Sequence, residues 1–274
     1  MVDKKQVEQL RTTMLEIMDV IHKSCIENGI QYYIVSGTAL GAVRHKGFIP
    51  WDTDIDVAMS RKDYNRFIAL SEKILPNGFS CLHFGNQVEW YHPHALVCKK
   101  DTMIHWNCSY YVNKIDCPVY VDIFALDNFP NDLKERERFE RQMNRKLYLL
   151  SRRECVLYQH NTRVQVAEKK LFSKINKTIC PNERFNQKLD QSMAKYREQE
   201  CDTYGIIPSR YGFKREGINR AIIGVPQLYE FEGRKYYSYE KMDDYLTQVY
   251  GDYMKYPPIE KQKENFDLID HIDF

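Results

Sequence analysis

Apolar residues at Val7, Leu10, Met14, Ile17, Met18, Ile21 and Cys25 recur at the spacing of one helical face and predict an amphipathic helix near the N-terminus. Gln31 to Val35 then reads as a strand. Ile55, Val57, Ala58 and Met59 form the apolar run of a second strand, headed by Asp54 and Asp56. Helical spacing returns over Arg61 to Leu75, with Tyr64, Phe67, Ile68 and Ile74 inward, and Pro76-Asn77-Gly78 should stop it. Short strand-like runs follow at Phe79 to Phe84, His94 to Cys98, Thr102 to Trp106 and Val119 to Ala125. These runs predict a mixed sheet whose core ends near residue 130.

The second half has a different pattern. Asn131 to about His160 predicts a long helix carrying Lys134, Arg136, Arg138, Arg141, Arg145, Lys146, Arg152 and Arg153 against fewer acids. A solvated helix is the simpler reading; the other is a basic edge turned to an anionic glycan, lipid phosphate or membrane surface. Another helix is expected from about Glu183 to Cys201, then a hairpin over Tyr229 to Tyr237 turning at Glu232-Gly233, and a short helix from Lys241 to Tyr250 ending at Gly251. The organisation expected is a catalytic core over residues 1–130 and a mainly helical region, 131–274, packed on it and completing its pocket. The fold class is α+β.

Composition narrows the partners. A chain of 274 residues with formal net charge +2 gives no whole-molecule reason to expect nucleic acid, and no recognition motif for it is visible. The N-terminal helix is broken by charges, unlike a signal peptide, and no apolar run is long enough to span a bilayer. Eight scattered cysteines without Cys-x-x-Cys spacing suit a reducing compartment, so a cytoplasmic location is expected. Cys25, Cys81 and Cys98 lie in apolar patterns and read as small core residues.

The chemistry concentrates between Ser36 and Asp56. After the strand at 31–35, Ser36-Gly37-Thr38 must turn sharply and offer backbone N–H groups to a phosphate at the start of a short helix. Asp54 and Asp56, two apart on a strand, would send both carboxylates from one face, where one divalent cation can bridge them. Hard oxygen ligands beside such a turn suit magnesium and a polyphosphate. Arg44 and Lys46 are placed to grip phosphate, while His45 between them carries too little signal for a catalytic role. Asp122 interrupts the apolar strand Val119-Tyr120-Val121-Asp122-Ile123-Phe124, and a buried carboxylate must be paired or metal-bound. It is the natural third carboxylate; the alternative is a structural acid paired with a buried Arg or Lys. Asp52 suits an N-capping or outer supporting role as well as direct ligation.

These residues resemble the signature of the LicD family, within the nucleotidyltransferase fold superfamily. The resemblance covers Tyr33 to Phe67, then Val121 to Asp127, then Phe231-Glu232-Gly233 and Tyr250 to Pro258. It departs at Thr53, where many relatives carry another Asp, in the long spacer from Gly37 to Asp54, and after Pro258, where a histidine is often found. It implies a nucleotidyltransferase-like sheet core and a transferase that moves phosphocholine from CDP-choline to a hydroxyl of a cell-surface glycan such as lipopolysaccharide or teichoic acid. The metal would be magnesium, as one or two ions, with manganese able to substitute. Asp54, Asp56 and Asp122 would be both catalytic residues and metal ligands, and Ser36, Gly37, Thr38, Arg44, Lys46, Trp51 and Asp52 would contact the CDP-linked donor. The acceptor would be a glycan or glycolipid, reached by peripheral association with the inner face of the membrane.

Three alternatives stay open. The same site could use CDP-ribitol or CDP-glycerol; it could transfer a nucleotidyl group from a nucleoside triphosphate; or the chain could be a noncatalytic module, against which the intact acids argue. Choline would need an aromatic cage, for which Trp51, Trp90, Tyr91, Trp106, Tyr110 and Tyr111 are candidates.

Overall fold

A computed structural model describes residues 2–86, 92–107, 116–155, 157–158, 160–209, 211–259, 262 and 265–274. The Asp3 carboxylate caps α1 (Lys4–Glu27), whose buried stripe includes Leu10, Met14, Ile17, Met18, Ile21 and Cys25. This face covers a mixed sheet in the order β1 (Tyr33–Ile34), β2 (Asp56–Ser60), β6 (Tyr120–Phe129), β4 (Ala95–Lys99), β3 (Phe79–Leu82). Strands β2 and β6 run parallel, with Asp56 opposite Asp122; the other pairings are antiparallel. Between β1 and β2 lies α2 (Ser36–Arg44), and α3 (Arg61–Ile74) follows β2 directly, capped by Ser60. Strand β5 (Met103–Trp106) leaves the main sheet and pairs with the C-terminal β11 (Ile269–Asp273).

The sheet does not end at residue 130. Strand β7 (Thr203–Ile206) pairs with the distal half of β6, and β8 (Ile218–Asn219) pairs with β7. The long β6 outruns β2 and β4, and the edge left at Leu126 to Phe129 is satisfied from the second half of the chain. Among the described residues, three helices lie between β6 and β7: α4 (Leu133–Glu154), α5 (Arg163–Ile179) and α6 (Asn182–Met193), followed by a 3-10 turn at Ala194–Tyr196. Two of these differ from expectation. The long helix stops early because Cys155 takes a left-handed backbone, and Thr162 with Gln165 forms a capping box that starts a separate α5. A core of Phe129, Phe139, Met143, Leu189, Tyr196 and Phe213 joins α4 and α6 to the sheet, and α5 packs on α4.

Two arginines are structural, one of them on the helix expected to be solvated. Arg153 is buried and donates to the carbonyls of Asn176 and Cys180 and to Asn182 Oδ1, tying α4 to α5 and α6. Arg61 is buried too, forming two parallel 2.7 Å bonds to Asp127 and one of 2.7 Å to Asp190 on α6. Short elements α7 (Gly212–Glu216) and α8 (Arg220–Ile223) lead to the hairpin β9 (Gln227–Phe231) and β10 (Arg234–Ser238). Its turn residues Glu232 and Gly233 have φ of 51° and 71°, the paired left-handed geometry that two-residue hairpins require. Helix α9 (Met242–Tyr250) then ends at Gly251, φ 74°.

Candidate active site

The parallel pair β2–β6 creates the site. Its register sets Asp56 beside Asp122, and Asp54 reaches them from the coil just before β2 rather than from the strand itself. One oxygen from each of Asp54, Asp56 and Asp122 lies within 4.8 Å of the others. Burial pushes the Asp54 carboxyl well up, and Asp56, Asp52 and Asp122 push it further; Asp52 also shares a hydrogen bond with it. Such a gathering of carboxylates is the donor set and charge that a divalent ion fits. Another His and Asp group, His105, His271 and Asp273, lies on the β5–β11 ribbon, where carboxylates of Asp116 and Asp273 already bond both nitrogens of His105.

Asp122 is 9% exposed, and its partner is His94 rather than a buried Arg or Lys. His94 Nε2 lies 2.7 Å from Asp122 Oδ1, and the imidazole rests against the Phe124 ring at 4.4 Å. Sequence reasoning passed over His94 as the start of a strand. The available signal was His92-Pro93-His94 immediately before an apolar run.

The Gly-Thr turn is fastened to the acidic strand. Thr38 Oγ1 accepts the Asp56 N–H at 2.8 Å, so this hydroxyl holds β2 against α2. The Ser36 N–H donates to the Tyr245 hydroxyl at 2.9 Å, with Ser36 at φ 51°. A Cβ on Gly37 would lie 2.5 Å from Asp52 Oδ2, so glycine is what lets that carboxylate sit against the turn. Asp52 thereby bridges the turn and Asp54.

Arg44, His45 and Trp51 gather around Tyr256. The Arg44 guanidinium lies 4.9 Å from the ring centre, and its Nη1 donates to the Tyr253 carbonyl while Nε donates to His45 Nε2. Burial lowers the Arg44 pKa. Trp51 meets the same ring edge-on at 6.2 Å. Lys46 is exposed, and its carbonyl accepts the Glu232 N–H; the Glu232 carboxylate in turn accepts the Phe48 N–H at 3.0 Å. The C-terminal motifs therefore brace the basic loop. Of the aromatic candidates, Trp106 lines a cavity beside Asp54, while Trp90, Tyr91, Tyr110 and Tyr111 lie outside the described residues.

A mixed sheet that gathers three carboxylates at the head of two adjacent parallel strands, beside a helix-opening turn, has a donor set suited to a divalent cation and to group transfer. The family model described as LicD/FKTN/FKRP, nucleotidyltransferase domain, matches residues 29–172, a span that contains all three acids and His94. The chain is 30% identical over 277 aligned residues, covering 95% of it and 96% of the relative, to the lipopolysaccharide cholinephosphotransferase LicD of Haemophilus influenzae. An uncharacterised protein of Rickettsia prowazekii is 32% identical over 43% of this chain and 40% of its own, and one of Rickettsia typhi is 39% identical over 25% and 21%. The chain belongs to the LicD/FKTN/FKRP family and is a phosphotransferase.

Proposed function

We propose that this enzyme transfers phosphocholine from CDP-choline to a hydroxyl of a surface glycan, with Asp54, Asp56 and Asp122 as its metal-holding and catalytic acids. The observation that carries the reading is the convergence of those three carboxylates in a chain similar along nearly its whole length to a cholinephosphotransferase. Magnesium, or manganese in its place, would be held by these three side chains and would neutralise the diphosphate when bound. The acceptor oxygen attacks the distal phosphorus, the bond from that phosphorus to CMP breaks, and the acceptor proton passes to Asp122. His94 holds Asp122 through one oxygen and fixes the direction of the other. The remaining N–H groups at the start of α2 face the phosphates, with Arg44 and Lys46 on the loop beyond.

A membrane-borne glycolipid acceptor fits one further feature. Val164, Leu171, Ile175 and Ile179 are exposed on α5, and Lys170, Lys174 and Lys177 belong to the same helix. An apolar stripe with a cationic flank suits shallow insertion among anionic lipids at the cytoplasmic face. No helix among the described residues is long and apolar enough to cross a membrane.

The test is calorimetric titration of the purified protein with CDP-choline, CDP-ribitol, CDP-glycerol and CTP, each with and without magnesium, followed by CMP release in the presence of dephosphocholinated oligosaccharide. Magnesium-dependent preference for CDP-choline with CMP release is expected. Preference for a CDP-polyol would move the donor assignment, and pyrophosphate release from CTP would replace the reaction by nucleotidyl transfer.

A further inference from the structure

Beside Asp54 lies a cavity of about 200 Å³. Thr53 and Asp54 form one side, and its other walls include Met14 of α1, Ile104 and Trp106 of β5, Val119 and Tyr120 at the head of β6, and Ile269 of β11. Among the described residues the lining contains no Lys or Arg, and Asp54 is its one acid. The volume is below the roughly 300–1,000 Å³ of a site that encloses a whole drug-sized ligand, yet several times the ~30 Å³ share of a water. It has room for a headgroup.

The chemistry of the walls selects that headgroup. A polyol would find hydrogen-bond partners at Thr53, Asp54 and Tyr120, but its remaining hydroxyls would lie against the carbon of Leu10, Met14, Ile104, Val119 and Ile269, where each unmatched donor is penalised. A primary ammonium would need several acceptors for its N–H groups. A quaternary ammonium has none to satisfy, is apolar in shape, and is attracted both by aromatic faces and by a carboxylate cluster. We infer that this cavity receives the trimethylammonium end of the transferred group, with Trp106 and Tyr120 as its aromatic contacts, so that the donor phosphates lie between it and the α2 turn. The inference rests on the phosphocholine reading and adds the place where choline is told from other alcohols.

Ile269 gives the C-terminal strand a role in that selection. Residues far beyond the matched segment 29–172 return through β11 to complete the wall, so choline recognition is built partly outside it.

The experiment compares wild-type protein, Trp106→Leu and Trp106→Phe by calorimetric titration with CDP-choline, CDP-glycerol and CMP in magnesium. Trp106→Leu should weaken CDP-choline binding by about tenfold, Trp106→Phe should restore most of the loss, and CMP and CDP-glycerol should bind all three proteins alike. In the wild type alone, tetramethylammonium chloride should displace CDP-choline but not CMP, relative to sodium chloride at the same ionic strength. This arm stands even if the leucine variant fails to fold. Unchanged CDP-choline affinity in a folded Trp106→Leu protein, or displacement no greater than by sodium, overturns the cavity assignment and leaves phosphocholine transfer intact. A wild-type protein that binds CDP-glycerol as well as CDP-choline overturns both.

Discussion

Replacing Arg61 with Met should destabilise the fold strongly, and the size of the loss follows from what the substitution leaves behind. Arg61 and Asp127 are 6% and 1% exposed and share two 2.7 Å bonds. Burial alone would lower the Arg61 pKa, but Asp127 and then Asp190 more than reverse this. Methionine fills much of the space of the side chain and strands the Asp127 charge, whereas Asp190, 39% exposed, can turn to water. Breaking a buried pair from one side costs roughly 3–5 kcal/mol. With an unfolding entropy of about 2.1 cal/mol/K per residue over 274 residues, the melting temperature should fall by about 5–9 °C.

The pH dependence supplies a sharper signature. Burial already pushes the Asp127 carboxyl up despite Arg61 beside it, and without the guanidinium it must rise further. A carboxyl raised in the folded state binds a proton that the unfolded chain releases, so its stability contribution is complete below the unfolded pKa and is lost as pH rises through the folded one. The deficit of Arg61→Met against wild type should therefore be largest near about pH 7.5 and shrink toward about pH 5. Thermal unfolding followed by circular dichroism at both pH values measures this, and Arg61→Met/Asp127→Leu should recover most of the loss at the higher one. A fall of less than about 2 °C, or a deficit that does not change with pH, would refute the stranded-charge argument.

Asp54→Asn, Asp56→Asn and Asp122→Asn should each lower turnover by roughly 10³-fold or more, and Asp54→Asn should leave the metal-free protein at least as heat-stable as wild type because it removes one of several mutually repelling acids; near-normal turnover in all three would remove the triad from the mechanism. His94→Gln should reduce kcat by about 10–100-fold with little change in KM, since it disturbs the orientation of Asp122 rather than donor binding; a rise in KM alone would show that His94 touches the donor. Gly37→Ala should displace Asp52, 2.5 Å from the new methyl, and cut activity by roughly tenfold or more while unfolding shifts little; full activity would mean that Asp52 can move freely.

What could be read in the sequence was local. The stripe of α1, the limits of α3 and the Glu232-Gly233 turn follow from side-chain periodicity and left-handed backbone preference, and each stands close to where the pattern predicts. The acidic triad was legible because Asp122 is out of place in an apolar strand and Asp54 and Asp56 head another. Long-range pairing was not legible. Nothing in Thr203 to Ile206 says that it will extend β6, because any short apolar strand could satisfy that edge, and nothing in Ile269 to Asp273 points to β5. Arg61 looked like an ordinary first helical residue, and its burial became visible only when α6 delivered Asp190 and β6 delivered Asp127. The capping box at Thr162 and Gln165 was available in the sequence, but the charged pattern running through 160 obscured the break before it.

The parallel seam between β2 and β6 carries opposed electrostatics at its two ends. Asp56 faces Asp122 at one end, where like charges drive the strands apart, and Arg61 grips Asp127 one residue beyond the Ser60–Leu126 pair at the other. At about 3.3 Å per residue the two lie some 16 Å apart, and the Arg61 charge is already balanced by Asp127 and Asp190 in contact with it, so the ion pair does not neutralise the acids. Its effect on them must pass through register. Val57–Ile123, Ala58–Phe124 and Met59–Ala125 connect the ends, and a slip of one residue would turn Asp122 to the other face of the sheet. Should the apolar ladder suffice, Arg61→Met held well below its melting temperature would keep wild-type kcat/KM. Should the clamp be needed to hold the acids together, kcat/KM would fall in the folded variant and recover in Arg61→Met/Asp127→Leu, because an apolar pair can pin the seam without a charge.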